Sequence, residues 1–305
     1  MGVCVIVPVV PVVLALRVSE KPVVRGTPGR VMIAAGPSTI PAPEPLRYER
    51  AQGYGVRLLA CDGTEDGRIV EELGDAATAD HVAVLVPGND NYLGNYFNQK
   101  RATRPRANGE TLLRTMREVA PGERVAVVVW VGYRTPRGFG EAVSRRPAME
   151  GAQDLVRLTR FLPGAARVTL VGHSYGTVVC GLALGRGRVS DCVALGSPGM
   201  GTRSREELGF SGNLWAARGP SDWIRFFPRG HVGEAGHGPS PLRRGYGARV
   251  FGTGDIPGHC SYYRPGSESV RNIARIAVGR YEEVTPVAVP RPRRAGRVRV
   301  AEVVS

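Results

Sequence analysis

One stretch near the middle of the chain decides the fold: Arg167-Val-Thr-Leu-Val-Gly-His-Ser-Tyr-Gly-Thr-Val-Val179. Its first half has the apolar pattern of a buried strand, and its second half is an apolar, small-residue segment typical of a buried helix. Between them, Gly172-His-Ser174-Tyr-Gly176 matches the G-x-S-x-G pattern. In such a turn the serine has a strained backbone and the flanking glycines let strand and helix pack closely. We predict a nucleophilic Ser174 on a turn built by Gly172 and Gly176; the alternative is a turn that only packs tightly.

Apolar runs alternate with helix-like segments on both sides of this motif. The predicted strands are Val56–Ala60, His81–Val86, Val125–Val131, Val168–Val171, Cys192–Leu195, Leu214–Ala217 and Arg249–Phe251. The predicted helices are Gly109–Val119, Ala152–Leu162, Ser174–Leu184 and Ser267–Gly279. Several strand runs are continuously apolar, as is typical of strands covered on both faces. The alternation predicts an α/β protein with a mostly parallel central sheet and helices on both faces.

A serine hydroxyl needs a positioned base that takes its proton. His259 follows the last predicted strand, which is the position of the base when the order along the chain is serine, acid, histidine. His173 lies inside the turn, where its side chain is expected to point away from the base position. His81 begins a strand and is interpreted as a strand-edge residue. His231 and His237 lie in a Gly-rich stretch typical of a lid or a surface loop.

The acid of such a site should follow a strand that comes after the serine. Asp222 lies in the loop after Leu214–Ala217 and is the predicted acid. Asp255 is the alternative, but it shares a loop with His259 and is also explained by turn chemistry. Asp191 precedes a strand and therefore belongs at the opposite edge of the sheet.

Acyl transfer also needs two backbone N–H donors for the negative charge that develops on the carbonyl oxygen. The residue after the nucleophile, Tyr175, supplies one predicted donor. The strand Val82–Val86 opens into Pro87-Gly88, so the second predicted donor is the amide of Asn89. The alternative is that Pro87-Gly88 forms an ordinary turn.

Composition argues against several other classes of protein. The 305 residues carry 41 Lys+Arg and 27 Asp+Glu, a net charge of +14. Almost all the basic residues are arginine and they are scattered, so no nucleic-acid partner is predicted; the alternative is anion binding by the Arg-rich C-terminal tail. The five cysteines lack C-x-x-C spacing, and neither a metal site nor a cofactor is predicted.

The chain divides into three predicted regions. Residues 1–45 are apolar and then Pro/Gly-rich, residues 285–305 are Arg/Pro-rich, and both segments are predicted to be disordered around a domain at residues 46–284. The apolar run Val3–Leu16 is too short to span a bilayer comfortably and lacks the flanks of a secretory signal. A cytoplasmic location is predicted, with a short membrane anchor as the alternative; the oligomeric state is not predicted.

Five segments in order resemble the family of mainly actinobacterial α/β-hydrolase domains known as DUF1023. They are Val84-Leu-Val-Pro-Gly88, Arg124-Val-Ala-Val-Val-Val-Trp-Val-Gly-Tyr133, Val168-Thr-Leu-Val-Gly-His-Ser-Tyr-Gly176, Leu195-Gly-Ser-Pro-Gly-Met-Gly201, and Gly258-His259 with Tyr262-Tyr-Arg-Pro-Gly-Ser267. The resemblance covers roughly residues 46–284 and implies an α/β-hydrolase fold with a Ser174-Asp222-His259 triad. Asn89-Asp90 departs from the small or apolar residue expected after the Pro-Gly turn.

The predicted function is that of a serine hydrolase acting on an ester or thioester of a small acyl substrate. The preference for activated acyl groups is an analogy with the fold. The alternative is a catalytically silent scaffold that acts as a binding protein. Six aromatic residues are predicted either to line an acyl pocket or to pack in the core: Trp215, Trp223, Phe226, Phe227, Tyr262 and Tyr263.

Overall fold

The computed structural model describes residues 43–98, 100, 103–227, 230–232 and 235–287. Its strands are β1 Ala51–Gly53, β2 Val56–Asp62, β3 Arg68–Leu73, β4 His81–Val86, β5 Val125–Val131, β6 Arg167–His173, β7 Asp191–Leu195, β8 Asn213–Ala217, β9 Gly230–Val232, β10 Ala235–Gly238 and β11 Arg249–Val250. Its α-helices are α1 Leu93–Tyr96, α2 Pro105–Val119, α3 Gly138–Glu141, α4 Arg146–Phe161, α5 Gly176–Leu184 and α6 Glu268–Ala277. Short 3₁₀ helices lie at Glu206–Leu208, Trp223–Phe226 and Tyr281–Glu283. Most of the two segments predicted to be disordered lies outside the described residues, so the three-part division stays a prediction.

Nine strands form one mixed sheet in the order β1-β2-β3-β5-β4-β6-β7-β8-β11. From β5 to β11 all neighbours are parallel, whereas β1, β2, β3 and β5 pair antiparallel. The order places β6, which carries the G-x-S-x-G turn at its carboxyl end, in the interior of the sheet between β4 and β7. In parallel sheets functional residues gather at the carboxyl ends of the strands, and here those ends belong to β4, β6, β7, β8 and β11.

Helices cover both faces of this sheet. On one face α4 and α5 pack with residues such as Leu155 and Val178, and on the other α2 and α6 pack with residues such as Leu112 and Ile273. All seven residues of β5 are buried because the strand is covered on both sides. This confirms the predicted mostly parallel sheet with helices on both faces.

The clearest element missed by the sequence analysis is β3, which joins the antiparallel strands to β5. Its sequence, Arg-Ile-Val-Glu-Glu-Leu, carries three charged residues that are all buried. Arg68 pairs with Asp62 at 2.7 Å, and Glu71 accepts hydrogen bonds from Tyr96 and Arg106. These partners are distant in sequence or lie in other elements, so the local pattern gives no sign of a buried strand.

Several predicted bounds shift slightly. Helix α2 begins at Pro105 instead of Gly109, α5 begins at Gly176 because Ser174 is still part of the turn, and β11 ends at Val250. Within the described ranges, no helix is long and apolar enough to cross a membrane.

Candidate active site

The turn between β6 and α5 holds Ser174 in a strained conformation. Its φ is 54°, in the left-handed region that costs a non-glycine residue about 1–3 kcal/mol. The Ser174 amide donates to the carbonyl of Leu195 at 2.9 Å, which fastens the turn to the end of β7. A Cβ atom on Gly176 would lie 2.1 Å from the carbonyl oxygen of Val86, and one on Gly172 would lie 3.0 Å from the sulfur of Cys180. Glycine is therefore required at Gly176, as the motif predicts.

Asp222 and His259 are brought together from two different loops. Asp222 caps the 3₁₀ helix Trp223–Phe226 after β8, and His259 lies in the loop after β11. His259 Nδ1 and Asp222 Oδ1 are 2.8 Å apart, and the Asp222 side chain is fully buried. The hydrogen bond fixes a proton on Nδ1 when Asp222 is ionised, so that Nε2 of a neutral His259 is unprotonated.

The carboxylate of Asp222 is held by two further donors. The hydroxyl of Tyr262 donates to Oδ2 at 2.5 Å, and the amide of Ile224 donates to Oδ1 at 2.9 Å. Burial opposes ionisation, but the hydrogen bond and charge of His259, together with these two donors, outweigh it and hold the pKa of Asp222 below its usual value. Tyr262 was predicted only as a pocket or core residue; its hydrogen bond to Asp222 depends on a loop contact that the sequence does not show.

The space for this pair depends on Gly196 at the end of β7. Its φ is 53°, and a Cβ atom there would lie 2.8 Å from Asp222 Oδ2 and 3.0 Å from His259 Cε1. A side chain at this position would therefore press on both members of the pair. The next residue, Ser197, is buried, and its Oγ is hydrogen-bonded to Thr177 Oγ1 at 2.7 Å. Its hydroxyl therefore serves the contact between the β7 end and α5.

His173 supports the loop that carries His259. Its Nε2 lies 2.7 Å from the carbonyl oxygen of His259, and because a carbonyl only accepts, Nε2 carries the proton. Burial, together with the charge of His259, lowers the pKa of His173 to about 3 and keeps the ring neutral. The Nε2 atom of His173 is thus used to hold the backbone of His259, a contact that was not foreseen.

Ser174 and His259 line the same open cavity, whose volume is about 690 Å³ including its solvent-filled mouth. His259 Nε2 is buried and has no hydrogen-bond partner in the part of the chain that the structure describes. His259 Nε2, the predicted acceptor of the serine proton, is therefore not hydrogen-bonded to another of the described protein groups. Such contacts are often loose in unliganded enzymes and tighten when substrate binds.

The loop after β4 runs directly against the Ser174 turn. A Cβ atom on Gly88 would lie 2.8 Å from Ser174 Cβ and 3.2 Å from the amide nitrogen of Tyr175, so only glycine permits this approach. Asn89 and Tyr175 both line the cavity, next to Ser174. The Asn89 side chain donates to the carbonyl of Gly138 at 3.1 Å, which ties the loop to α3. The two backbone amides predicted to be donors thus belong to adjacent segments beside Ser174.

Five of the six aromatic residues divide between the two predicted roles, and Phe226 takes neither. Trp223 and Phe227 line the cavity, and Phe139 joins them by an edge contact with Trp223 at 5.2 Å between ring centroids. Phe226 is 75% exposed. The other three, Trp215, Tyr262 and Tyr263, are buried in the core on the α2/α6 face of the sheet.

The alternative acids and bases lie elsewhere or have other contacts. Asp255 is exposed and is not the partner of His259, while Asp191 is buried at the opposite end of the sheet beside Arg167. His81 begins β4 as predicted and pairs with Glu123. The prediction that His237 lies in a lid or surface loop was wrong, because His237 is buried in the β9–β10 hairpin and lines the cavity. Among the described residues, no cluster of three or more His, Cys, Asp or Glu could hold a metal ion.

The fold and the strand-turn-helix that carries Ser174 define the class of α/β hydrolases. The chain belongs to the alpha/beta hydrolase family, whose model matches residues 62–232. The match includes Ser174 and Asp222 and ends before His259.

Similar proteins are found among uncharacterized mycobacterial proteins. Rv2079 of Mycobacterium tuberculosis is 27% identical over 255 residues, covering 70% of this chain and 37% of that protein. Rv0963c of the same organism is 33% identical over 178 residues, covering 54% of this chain and 65% of that protein. The chain thus spans little more than a third of the first of these relatives.

Two solved structures are similar to this chain at low sequence identity. Est1E from Butyrivibrio proteoclasticus is 11% identical with a TM-score of 0.43, covering 76% of this chain and 99% of that one. XC6422 from Xanthomonas campestris, described as an a/b serine hydrolase without lid, is 13% identical with a TM-score of 0.44, covering 80% of this chain and 98% of that one.

Proposed function

We propose that the protein is a serine hydrolase that cleaves an ester or thioester through an acyl-enzyme. The observation that carries the proposal is the His259–Asp222 hydrogen bond of 2.8 Å beside a cavity that Ser174 also lines, with His259 Nε2 unpartnered among the described residues. In the proposed triad Ser174 is the nucleophile, His259 the general base and Asp222 the residue that orients the imidazole. Five segments of the chain resemble DUF1023, and this resemblance implies the same three residues.

The reaction proceeds in two halves. Ser174 Oγ bonds to the acyl carbon while its proton passes to His259 Nε2, and the amides of Tyr175 and Asn89 donate to the oxyanion. The intermediate collapses when the C–O or C–S bond breaks and the proton moves from His259 to the leaving group. Water then attacks the acyl-enzyme by the same path, which releases the acid and returns a proton to Ser174 Oγ.

Esters and thioesters are proposed over amides because alkoxide and thiolate groups leave more readily than amines. The apolar part of the cavity wall suits an acyl chain, since Ser174 shares the lining with Ala142, Pro198, Trp223, Ile224 and Phe227. The small acyl substrate and the absence of a nucleic-acid partner remain parts of this proposal.

Labelling with a fluorophosphonate probe tests the activated serine. The parent should be labelled and should hydrolyse p-nitrophenyl esters, Ser174→Ala should not be labelled, and His259→Ala should lose about a thousandfold or more in kcat/KM. His81→Ala is the matched control, since His81 contacts Glu123 at the start of β4, away from the carboxyl ends of the strands. A folded parent that is neither labelled nor active on any ester would refute the proposal and favour a silent scaffold that binds ligands.

A further inference from the structure

Two residues that line the cavity each carry a buried acceptor atom that has no role in the proposed reaction. Asn89 Oδ1 and His237 Nδ1 each lack a hydrogen-bond partner among the residues that the structure describes. Both residues line the cavity that holds Ser174. Most buried polar atoms in native proteins are hydrogen-bonded, and a buried acceptor without a partner is costly. Two such atoms, on residues that line the same cavity, are candidates for contact with a hydrogen-bond donor of a ligand.

The contacts of His237 determine which ring nitrogen accepts. Nε2 lies 2.6 Å from the carbonyl oxygen of Ala142, so Nε2 must carry the proton. Burial lowers the pKa of His237, the hydrogen bond to Ala142 opposes this, and the charge of Arg145 adds to the lowering, so the ring stays neutral. Nδ1 is then an acceptor on a side chain that is only 1% exposed.

A hydrogen bond likewise determines which atom of the Asn89 side-chain amide is the acceptor. Its Nδ2 donates to the carbonyl oxygen of Gly138 at 3.1 Å. The flipped amide would set its own oxygen against that carbonyl oxygen, which is repulsive, so the observed orientation is the favourable one. Oδ1 is therefore an acceptor, like Nδ1 of His237.

Close packing fixes the position of His237. Its carbonyl accepts from the amide of Gly201 at 2.9 Å, and a Cβ atom on Gly199 would lie 2.2 Å from the same oxygen. The ring lies edge-on to Tyr175 with 5.3 Å between centroids and stacks with Phe227 at 5.9 Å. An acceptor held this firmly needs little reorganisation when a ligand donor arrives.

We propose that Asn89 and His237 form a subsite for hydrogen-bond donors, so that the natural substrate carries a hydroxyl or amide N–H close to the scissile acyl group. The inference rests on the proposed hydrolase and names its substrate class. Two neutral acceptors favour a neutral donor group, and a carboxylate or phosphate, which offers only acceptors when ionised, is disfavoured. The donor belongs either to the acyl group or to the leaving group, and matched substrates distinguish the two.

The test compares kcat/KM for ester pairs that differ by one hydroxyl. The acyl pair is p-nitrophenyl butanoate and p-nitrophenyl 3-hydroxybutanoate, and the leaving-group pair is ethyl butanoate and 2-hydroxyethyl butanoate. The parent should prefer the hydroxylated member of at least one pair by about tenfold, the effect of one neutral hydrogen bond. Each result is a ratio within one protein, so a general loss of activity cancels.

The decisive variant is His237→Gln. The glutamine amide can still donate to the Ala142 carbonyl but does not reproduce the Nδ1 acceptor, so the preference should fall toward one. Asn89→Ala removes the second acceptor and retains the backbone amide, and it should reduce the preference as well. His81→Gln is the matched control and should keep the parent ratio, because His81 contacts Glu123 away from the cavity.

Two outcomes would overturn the subsite: no hydroxyl preference in the parent, or a full preference retained in both His237→Gln and Asn89→Ala. Dissociation constants are measured on the same proteins for two amide pairs: butanamide with 3-hydroxybutanamide, and N-ethylbutanamide with N-(2-hydroxyethyl)butanamide. A hydroxyl preference in binding without ester turnover would refute the hydrolase and support the subsite. Ester turnover in which both members of each pair have equal rates and equal affinities would support the hydrolase and refute the subsite.

Discussion

Replacing Tyr262 with phenylalanine removes one hydrogen bond from the buried carboxylate of Asp222. The Tyr262 hydroxyl donates to Oδ2 at 2.5 Å and accepts from the amide of Gly219 at 3.1 Å. Tyr262 itself is fully buried, and phenylalanine keeps the ring that packs in the core. The substitution therefore removes two hydrogen bonds without opening a large cavity.

The expected cost follows from the charge of the acceptor. A hydrogen bond to a charged group contributes about 1.5–3 kcal/mol, and an amide left unpaired in the interior costs about 1–3 kcal/mol. We expect the free energy of unfolding of Tyr262→Phe to be lower than that of the parent by about 3 kcal/mol at pH 7. His259 should also be held less firmly, so labelling of Ser174 should be slower.

The loss of stability in Tyr262→Phe should depend on pH. The folded pKa of Asp222 is lowered, so this group stabilises the fold above its unfolded pKa and the stabilisation is lost as pH falls through the folded pKa. Tyr262 supplies part of that lowering. The difference in free energy of unfolding between parent and Tyr262→Phe should thus be largest near neutral pH and smaller in acid.

Urea denaturation at pH 7 and at pH 4 or below measures both effects. The matched control is Tyr263→Phe, since Tyr263 is buried in the same core and its hydroxyl has no hydrogen bond among the described residues. The control should stay within about 0.5 kcal/mol of the parent. The reasoning fails if Tyr262→Phe is as stable as this control at pH 7.

Three further predictions concern the turn and the histidine beside it. Gly176→Ala should unfold at lower urea concentration and resist labelling, because its Cβ would lie 2.1 Å from a backbone oxygen; Gly63→Ala, where no atom lies within 4 Å, should behave as the parent. Ser174→Gly should be more stable than Ser174→Ala by about 1 kcal/mol, since φ is 54°, and equal stabilities by urea denaturation would argue against strain. The folded pKa of His173 is about 3, below the ordinary pKa of histidine of about 6.5, so the unfolded chain binds the proton at higher pH than the folded protein does. The stability of the parent should therefore fall as pH drops from about 6.5 toward 3. His173→Phe should show a flatter dependence in unfolding measured at pH 7 and 4.5, and parallel curves would contradict the assignment.

The central sheet could be predicted because its signals are local. Continuous apolar runs identified β4, β5, β6 and β7, and the order of strand, glycine-flanked serine and helix identified the turn around Ser174. Strand β3 was not predicted, because the charged residues Arg68, Glu71 and Glu72 give it the pattern of an exposed segment. In the structure these residues are buried, since they pair with distant partners. The bounds of helices moved by a few residues because packing, more than propensity, sets where a helix begins.

Individual site residues could be predicted only where their order along the chain distinguishes them. Order alone favoured Asp222 over Asp255, and the structure places Asp222 at His259. The same order gave no sign that His237 lines the cavity, because a Gly-rich segment has no pattern that indicates burial. Its position depends on the close approach of β10 to Gly199.

The class of fold, the serine at the end of β6 and the glycines of its turn could be predicted because each depends on residues that are neighbours in the chain. Which side chains meet at the carboxyl ends of the strands became visible only in the folded structure. The Tyr262 hydroxyl on Asp222, the His173 nitrogen on the His259 backbone and the room left by Gly196 join segments that are 26 to 86 residues apart. Such contacts are fixed by the packing of strands and loops in three dimensions, and no local pattern specifies them.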